Sequence, residues 1–159
     1  MHINILAVGK LKEKYWTESQ NEYLKRLQAY AKCEVREVAD ERFAPSVLPK
    51  ECEQVKNREG QRLQSLIDEA GFLIALDRRG KMFDSEEFAG VIKNLALTGK
   101  SNISFIIGGS LGLSDNLLAQ ADLLLSFSKF TFPHQLMRVI LLEQIFRSFK
   151  IIKNEPYHR

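Results

Sequence analysis

Tyr157, His158 and Arg159 are consecutive and unite an aromatic ring, a titratable imidazole and a guanidinium. Such a set suits stacking on a base, moving a proton near neutrality and holding a phosphate. Glu143 and Arg147 stand four residues apart, a spacing that lets them pair on one helical face. They read equally as a structural ion pair and as a polar pair set in an active site at a subunit interface. Upstream, IIGGSLGLS places glycines at 108, 109 and 112 directly after an apolar run. Glycines so placed let a ligand approach the backbone, as in a nucleoside or phosphate site, or simply close a tight turn. The pattern is neither G-x-G-x-x-G nor a P-loop. A third stretch, SFSKFTFPHQLMR (126–138), puts three phenylalanines, hydroxyls and Lys129 where a connection normally faces water. His2, His134 and His158 do not cluster with cysteines or acids at ligand spacing, so no metal site is expected. No Gly-x-Ser-x-Gly elbow or Cys/His nucleophile pair is present.

These groups need elements to carry them. INILAV (3–8), FLIALD (72–77), ISFII (103–107) and LLLSF (123–127) are apolar, β-favouring runs, and CEVREV (33–38) alternates as a partly exposed strand does. Helical spacing occupies 15–30 and 51–69, although Gly60 interrupts the latter. Residues 39–50, with Pro45 and Pro49, read as a loop, and 78–81 as a turn. Asp84-Ser85-Glu86-Glu87 is an N-cap with acids behind it, opening a helix that Gly99 stops; Ser114-Asp115 starts a short one. Pro133 suits the first turn of a last helix that is apolar nearly all round, from Leu136 to Phe149. Such a helix must be covered on several sides, which a dimer interface would do. Alternating strands and helices predict one α/β domain with a mainly parallel sheet. Ligands in such sheets sit beyond the carboxyl ends of the strands. The segments 76–81, 108–110 and 126–132 would then line one pocket.

Composition sets the remaining bounds. The 159 residues fit a single domain, able to bury roughly 70% of its unfolded surface. No run approaches the roughly 18 apolar residues that a membrane span needs. Cys33 and Cys52 lack metal-ligand spacing and are expected reduced, in a cytoplasmic protein. Net charge is +3, but residues 127–159 hold six Lys/Arg against Glu143 and Glu155. Basic charge gathered at one end hints at a polyanionic partner, or at a solvated helix face with a charged tail.

ILAVGKLKEKYW near the N-terminus, central IIGGSLGL, and LSFSKFTFPHQLMRVILLEQIFRSFKI with terminal PYHR together resemble a known family. It is the small SPOUT-class methyltransferase of bacterial large-subunit ribosomal RNA, and the resemblance spans the whole chain. That family methylates N3 of a pseudouridine in helix 69 of 23S ribosomal RNA, using S-adenosyl-L-methionine. The resemblance implies a single SPOUT domain over 1–159 without an appended RNA-binding domain, a C-terminal deep trefoil knot, and a homodimer. It implies cofactor contacts from Leu76, Gly108, Phe127, Ser128, Lys129, Phe130, Thr131 and Phe132. It also implies that the dimer surface recognises RNA in the assembled ribosome.

The imide N3–H is weakly acidic, so methyl transfer needs a base, and His158 is the candidate with Glu143 as the alternative. Tyr157 would stack on the target base. Arg138, Arg147 and Arg159 would hold phosphate or orient the tail. Two rival readings are a non-catalytic nucleotide-binding α/β module and a ribosome assembly factor without chemistry.

Overall fold

Parallel strands covered on both faces need unbroken apolar runs, and the runs at 3–8, 72–76 and 103–107 supply them. The computed structural model describes residues 1–44, 46 and 48–158. In chain order its elements are β1 (His2–Val8), α1 (Lys14–Leu27), β2 (Lys32–Val38), α2 (Pro49–Gln64), β3 (Phe72–Met82), α3 (Ser85–Leu97), β4 (Asn102–Ile107), α4 (Asp115–Gln120), β5 (Leu123–Ser126) and α5 (His134–Ile152). The strands form one sheet in the order β2-β1-β4-β3-β5, and every neighbouring pair is parallel. The expected α/β class and parallel sheet are what the chain adopts.

The period-two pleat divides each strand between two cores. Ile3, Ile5, Ala7, Ile103, Phe105 and Ile107 face one side, where α1, α3 and α5 contribute Leu27, Phe88, Ile92, Leu141, Leu142 and Ile145. Leu6, Val8, Ala75 and Ile106 face the other, against Leu63 of α2 and Leu117 and Leu118 of α4. Each large aliphatic side chain fully buried here contributes about 1.5–3 kcal/mol. Helix α3 starts on a complete capping box. Asp84 Oδ1 accepts from Glu87 N at 2.7 Å, while Glu87 Oε2 accepts from Asp84 N at 2.9 Å. Gly60, which weakened the helical reading of α2, is where α2 meets the start of α4. A Cβ there would stand 2.7 Å from Ser114 Oγ.

Several boundaries differ from expectation, among them the end of α1, which falls at Leu27 rather than Tyr30. Helix α2 begins at Pro49, whose missing N–H costs nothing at a helix start, and it stops at Gln64. Pro133 is the residue before α5 rather than its first, with ψ at 131°. The turn expected at 78–81 is instead a bulge inside β3. Leu76 and Lys81 both pair with Leu125, so residues 77–80 project from the ladder and pairing resumes at Lys81 and Met82. The last helix packs on both α1 and α3. Its buried residues include Arg138, Leu141, Leu142, Ile145, Phe146 and Phe149, while Leu136, Val139 and Ile140 are half-buried.

Candidate active site

The three segments expected to share a pocket do meet. A cleft of about 170 Å³ is lined by Leu76, Asp77 and Arg78 at the β3 bulge, by Gly108, Gly109 and Gly112 after β4, and by Ser126, Phe127, Ser128, Phe130, Thr131 and Phe132 after β5. It opens into a hollow of about 860 Å³ that shares Leu76, Asp77, Arg78, Gly109, Gly112, Thr131, Phe132 and His134. Gly108 has no room for a side chain. Its Cβ would lie 2.5 Å from the carbonyl carbon of Gly112, so the glycine closes the loop on itself, and Gly112 takes φ of +83°. The loop after β5 is tied by its own hydroxyls. Ser126 Oγ donates to Ser128 O at 3.1 Å, and Phe130 N donates to Ser128 Oγ at 3.1 Å.

Seven of the eight expected cofactor residues therefore line the cleft. Lys129 does not; its side chain is exposed in the same loop. Sequence reasoning missed His134 and Met137, which α5 contributes to the wall. Their spacing of three is a helix-face signal that the Pro-His start could have oriented. Electrostatics inside the cleft are graded. Arg79 donates to Asp77 Oδ1 through its Nε (2.9 Å) and its backbone N (2.8 Å), and holds that carboxyl below its usual range. Burial, then the Arg138 charge, push His134 below the ordinary imidazole value, which favours a neutral ring.

An apolar wall with a few convergent polar groups is the common make-up of a small-molecule site, and the larger hollow alone reaches the usual range of about 300–1,000 Å³. The lining fits the nucleoside cofactor implied by the resemblance: phenylalanine and leucine surfaces for a base, a carboxylate for hydroxyl or amino donors, and a side-chain-free Gly108.

The second set of candidates forms a network where α5 meets the tail. Glu143 is its hub. Its Oε1 accepts from Arg147 Nε at 3.0 Å, from Arg147 Nη2 at 2.5 Å and from Tyr157 Oη at 3.1 Å, and its Oε2 accepts from Gln144 Nε2 at 2.7 Å. Gln144 in turn accepts from Ser85 Oγ at 2.9 Å. The Arg147 guanidinium lies 4.8 Å from the centre of the Tyr157 ring, which packs edge-on against Phe146 at 5.0 Å. Burial, followed by a hydrogen bond with Tyr23, pushes the Tyr157 phenol up to about 12. The Glu143 carboxylate pushes Arg147 upward and keeps it charged.

His158 closes the network. Arg147 Nη1 lies 3.3 Å from its Nδ1, and a guanidinium can only donate. A neutral ring therefore presents the Nδ1 lone pair to Arg147 and its Nε2–H toward Glu86 Oε1, 3.8 Å away. With four donors already on its two oxygens, Glu143 is the poorer base and the better organiser. His158 lines a hollow of about 390 Å³ with Phe83, Asp84, Ser85 and Gln144, and that hollow shares Leu125, Ser126 and Phe127 with the cleft. The tail and the cleft thus adjoin through one segment.

Arg138 does not sit where an RNA contact must. It is 0% exposed, with Nη1 2.5 Å from Glu37 Oε1 and Nη2 donating to Val8 O at 3.0 Å and Gly9 O at 2.5 Å. Its task is to fasten α5 to the carboxyl end of β1. Arg159 lies outside the described residues. Both cysteines are free, and burial pushes the Cys33 thiol up to about 12, which leaves it inert. Among the described residues there is no group of His, Cys, Asp and Glu arranged to hold a metal, and no helix is long and apolar enough to cross a membrane.

Residues 1–158 match the family described as predicted SPOUT methyltransferase. The chain is 56% identical to the ribosomal RNA large subunit methyltransferase H of Pelotomaculum thermopropionicum, across 99% of this chain and 98% of that one. It is 54% identical to the protein of the same name from Clostridium beijerinckii, over the full length of both. Among solved structures, a probable methylase family protein from Haemophilus influenzae superposes with a TM-score of 0.59 at 12% identity, covering 99% of this chain and 70% of that one. A probable methyltransferase from Bordetella pertussis gives 0.56 at 11% identity, covering 92% and 95%. At such identities the two structures speak for the fold alone.

Proposed function

The chain belongs to the SPOUT methyltransferase family, and from that premise we propose that it methylates large-subunit ribosomal RNA with S-adenosyl-L-methionine. The target in this reading is N3 of pseudouridine 1915 in helix 69 of 23S RNA, within the assembled ribosome. The observation that supports methylation of large-subunit RNA is the convergence of the 76–78, 108–112 and 126–132 segments on one cleft, in a chain more than half identical to proteins named ribosomal RNA large subunit methyltransferase H.

When bound, the cofactor supplies an electrophilic methyl group. The chain's residues do the rest. Leu76, Gly108 and the 127–132 segment hold it; Lys129 contributes backbone at most, since its side chain is outside the lining. His158 takes the N3 proton at Nδ1, which requires Arg147 to swing off that atom as RNA enters. Arg147 stays held by Glu143 through Nε and Nη2, and only its Nη1 is released to donate to the incoming RNA. Tyr157 offers its ring to the base rather than its hydroxyl, which is held protonated. Most of the rate comes from positioning, because the reactive carbon arrives with the cofactor.

The reading includes a homodimer, a C-terminal trefoil knot and a cytoplasmic location. The half-buried Leu136, Val139 and Ile140 of α5 support the dimer, as a second copy would cover them. The decisive experiment is mass spectrometry of ribosomal RNA before and after incubating unmodified ribosomes with protein and cofactor. A mass gain of one methyl on that pseudouridine is expected. No gain, with tight cofactor binding intact by calorimetry, would leave a binding module without chemistry.

A further inference from the structure

The C-terminal segment is basic in sequence, yet three of its six cations are paired inside the fold. Arg138 pairs with Glu37, Arg147 with Glu143 and Lys150 with Glu155. A cation already neutralised by a carboxylate must break that pair before it can release counterions from a nucleic acid. The cations available to a polyanion have to be sought among those without a carboxylate partner, in this segment and outside it.

Four exposed ones stand around the cleft. Lys10 and Lys12 lie in the connection between β1 and α1. That connection borders the cleft wall: a Cβ on Gly9 would stand 3.9 Å from His134 Nε2, and the Lys12 charge is close enough to add to the burial and Arg138 effects on that imidazole. Arg78 lines the cleft from the β3 bulge. Lys129 is exposed in the loop after β5. Among the described residues none of the four has an ion-pair partner, whereas neighbouring Arg79 is paired with Asp77 and lies 3.8 Å from Asp115, and Lys56 is paired with Glu53. Of the carboxylates nearby, Glu37 is taken by Arg138 and Asp77 by Arg79, while Asp40 beside Gly9 and the buried Glu59 beside Gly109 are left to oppose them.

We propose that Lys10, Lys12, Arg78 and Lys129 form a phosphate track that carries the RNA backbone across the mouth of the cleft. This rests on the reading of the chain as an RNA methyltransferase. A base that enters the cleft drags its flanking phosphates over the rim, and those phosphates meet these four cations. Contacts of this kind position the strand without reading its sequence. Recognition of the target is then left to the fit of the base.

The test is sedimentation binding of the full-length protein, with cofactor present, to large ribosomal subunits lacking the methyl group, across a series of salt concentrations. The variants are Lys10→Gln/Lys12→Gln, Arg78→Gln and Lys129→Gln. The control is Lys100→Gln, which lies just before β4, at the amino end of that central strand and away from the carboxyl ends that carry the cleft. Each cation removed should flatten the plot of log affinity against log salt by about 0.7–0.9, and the double variant should lose about tenfold or more in affinity near 0.1 M salt. The Lys10/Lys12 variant should bind cofactor by calorimetry as the parent does. Unchanged slopes and affinities in all three variants, while the parent binds and methylates, overturn the track alone. An equal loss in Lys100→Gln reduces the effect to net charge and also overturns it. A parent protein that binds no subunits at any salt removes the track and the methyltransferase reading together.

Discussion

Replacing Arg138 by Met tests whether the structure has read this residue correctly as a fastening rather than an RNA contact. The side chain is 0% exposed and supplies three hydrogen bonds that join α5 to β1 and β2. Methionine fills most of the apolar volume, so the cost is chiefly electrostatic. Two carbonyls, of Val8 and Gly9, lose a donor, and a stranded buried acceptor costs about 1–3 kcal/mol. Glu37 loses its counter-ion, but its side chain is 27% exposed and can rehydrate. That places the change at the lower end of the usual 3–5 kcal/mol for removing one member of a buried pair, about 3 kcal/mol. For a chain of this length it corresponds to a fall in Tm of about 6–12 °C. Thermal unfolding should be followed at one fixed protein concentration, because self-association also moves Tm. Adding Glu37→Gln to Arg138→Met should recover only the carboxylate's share, since both carbonyls stay unpaired. An Arg138→Met protein that melts within about 2 °C of the parent, with RNA binding lost, would refute the reasoning and return Arg138 to the RNA.

Gly108→Ala would push a Cβ to 2.5 Å from the Gly112 backbone, where nothing flexible can yield. We expect destabilisation of about 1–3 kcal/mol and weaker cofactor binding by calorimetry; full affinity would mean the loop is not built on that contact. His158→Ala should cut methyl incorporation while leaving cofactor affinity alone, and an unchanged rate would remove it as base. Tyr157→Phe gives up one hydrogen bond to Glu143, about 1 kcal/mol, but keeps the ring, so turnover should fall far less than in Tyr157→Ala; equal losses would assign the work to the hydroxyl. His134 is held below its ordinary value of 6.5, chiefly by burial. As pH falls below that value the unfolded chain takes up a proton that the folded chain refuses. The stability due to the neutral ring is thus fully present above pH 6.5 and is lost on the way down through the depressed folded value. His134→Gln should flatten the loss of stability between pH 7.5 and pH 5.5 in urea titrations, and an identical slope in both proteins would exclude His134 as its source.

Much of the architecture is written locally. Apolar runs of five or six residues mark β1, β4 and the first half of β3, and the Asp84–Glu87 box marks the start of α3. The order of strands and helices alone implies a parallel sheet and a site at the carboxyl ends. The long block from Leu125 to Ile151 and the terminal PYHR carry the family signature, so the chain's own residues were enough to name a methyltransferase and seven of the lining positions.

What the linear pattern could not supply were the partners of charged groups. Arg138 reads as a surface cation on a helix, but its acceptors lie 101, 129 and 130 residues away. Whether a guanidinium faces phosphate or carboxylate is decided by which chain segment is folded against it. The same holds for the bulge at 77–80, created by pairing with β5 some 45 residues downstream, and for the tail, whose Tyr157 and His158 take their places from Glu143 and Arg147 on α5. Hydrophobic periodicity is a property of neighbours in sequence and survives without the fold. Charge compensation, and with it the choice of which cations remain free for RNA, exists only once distant segments have met.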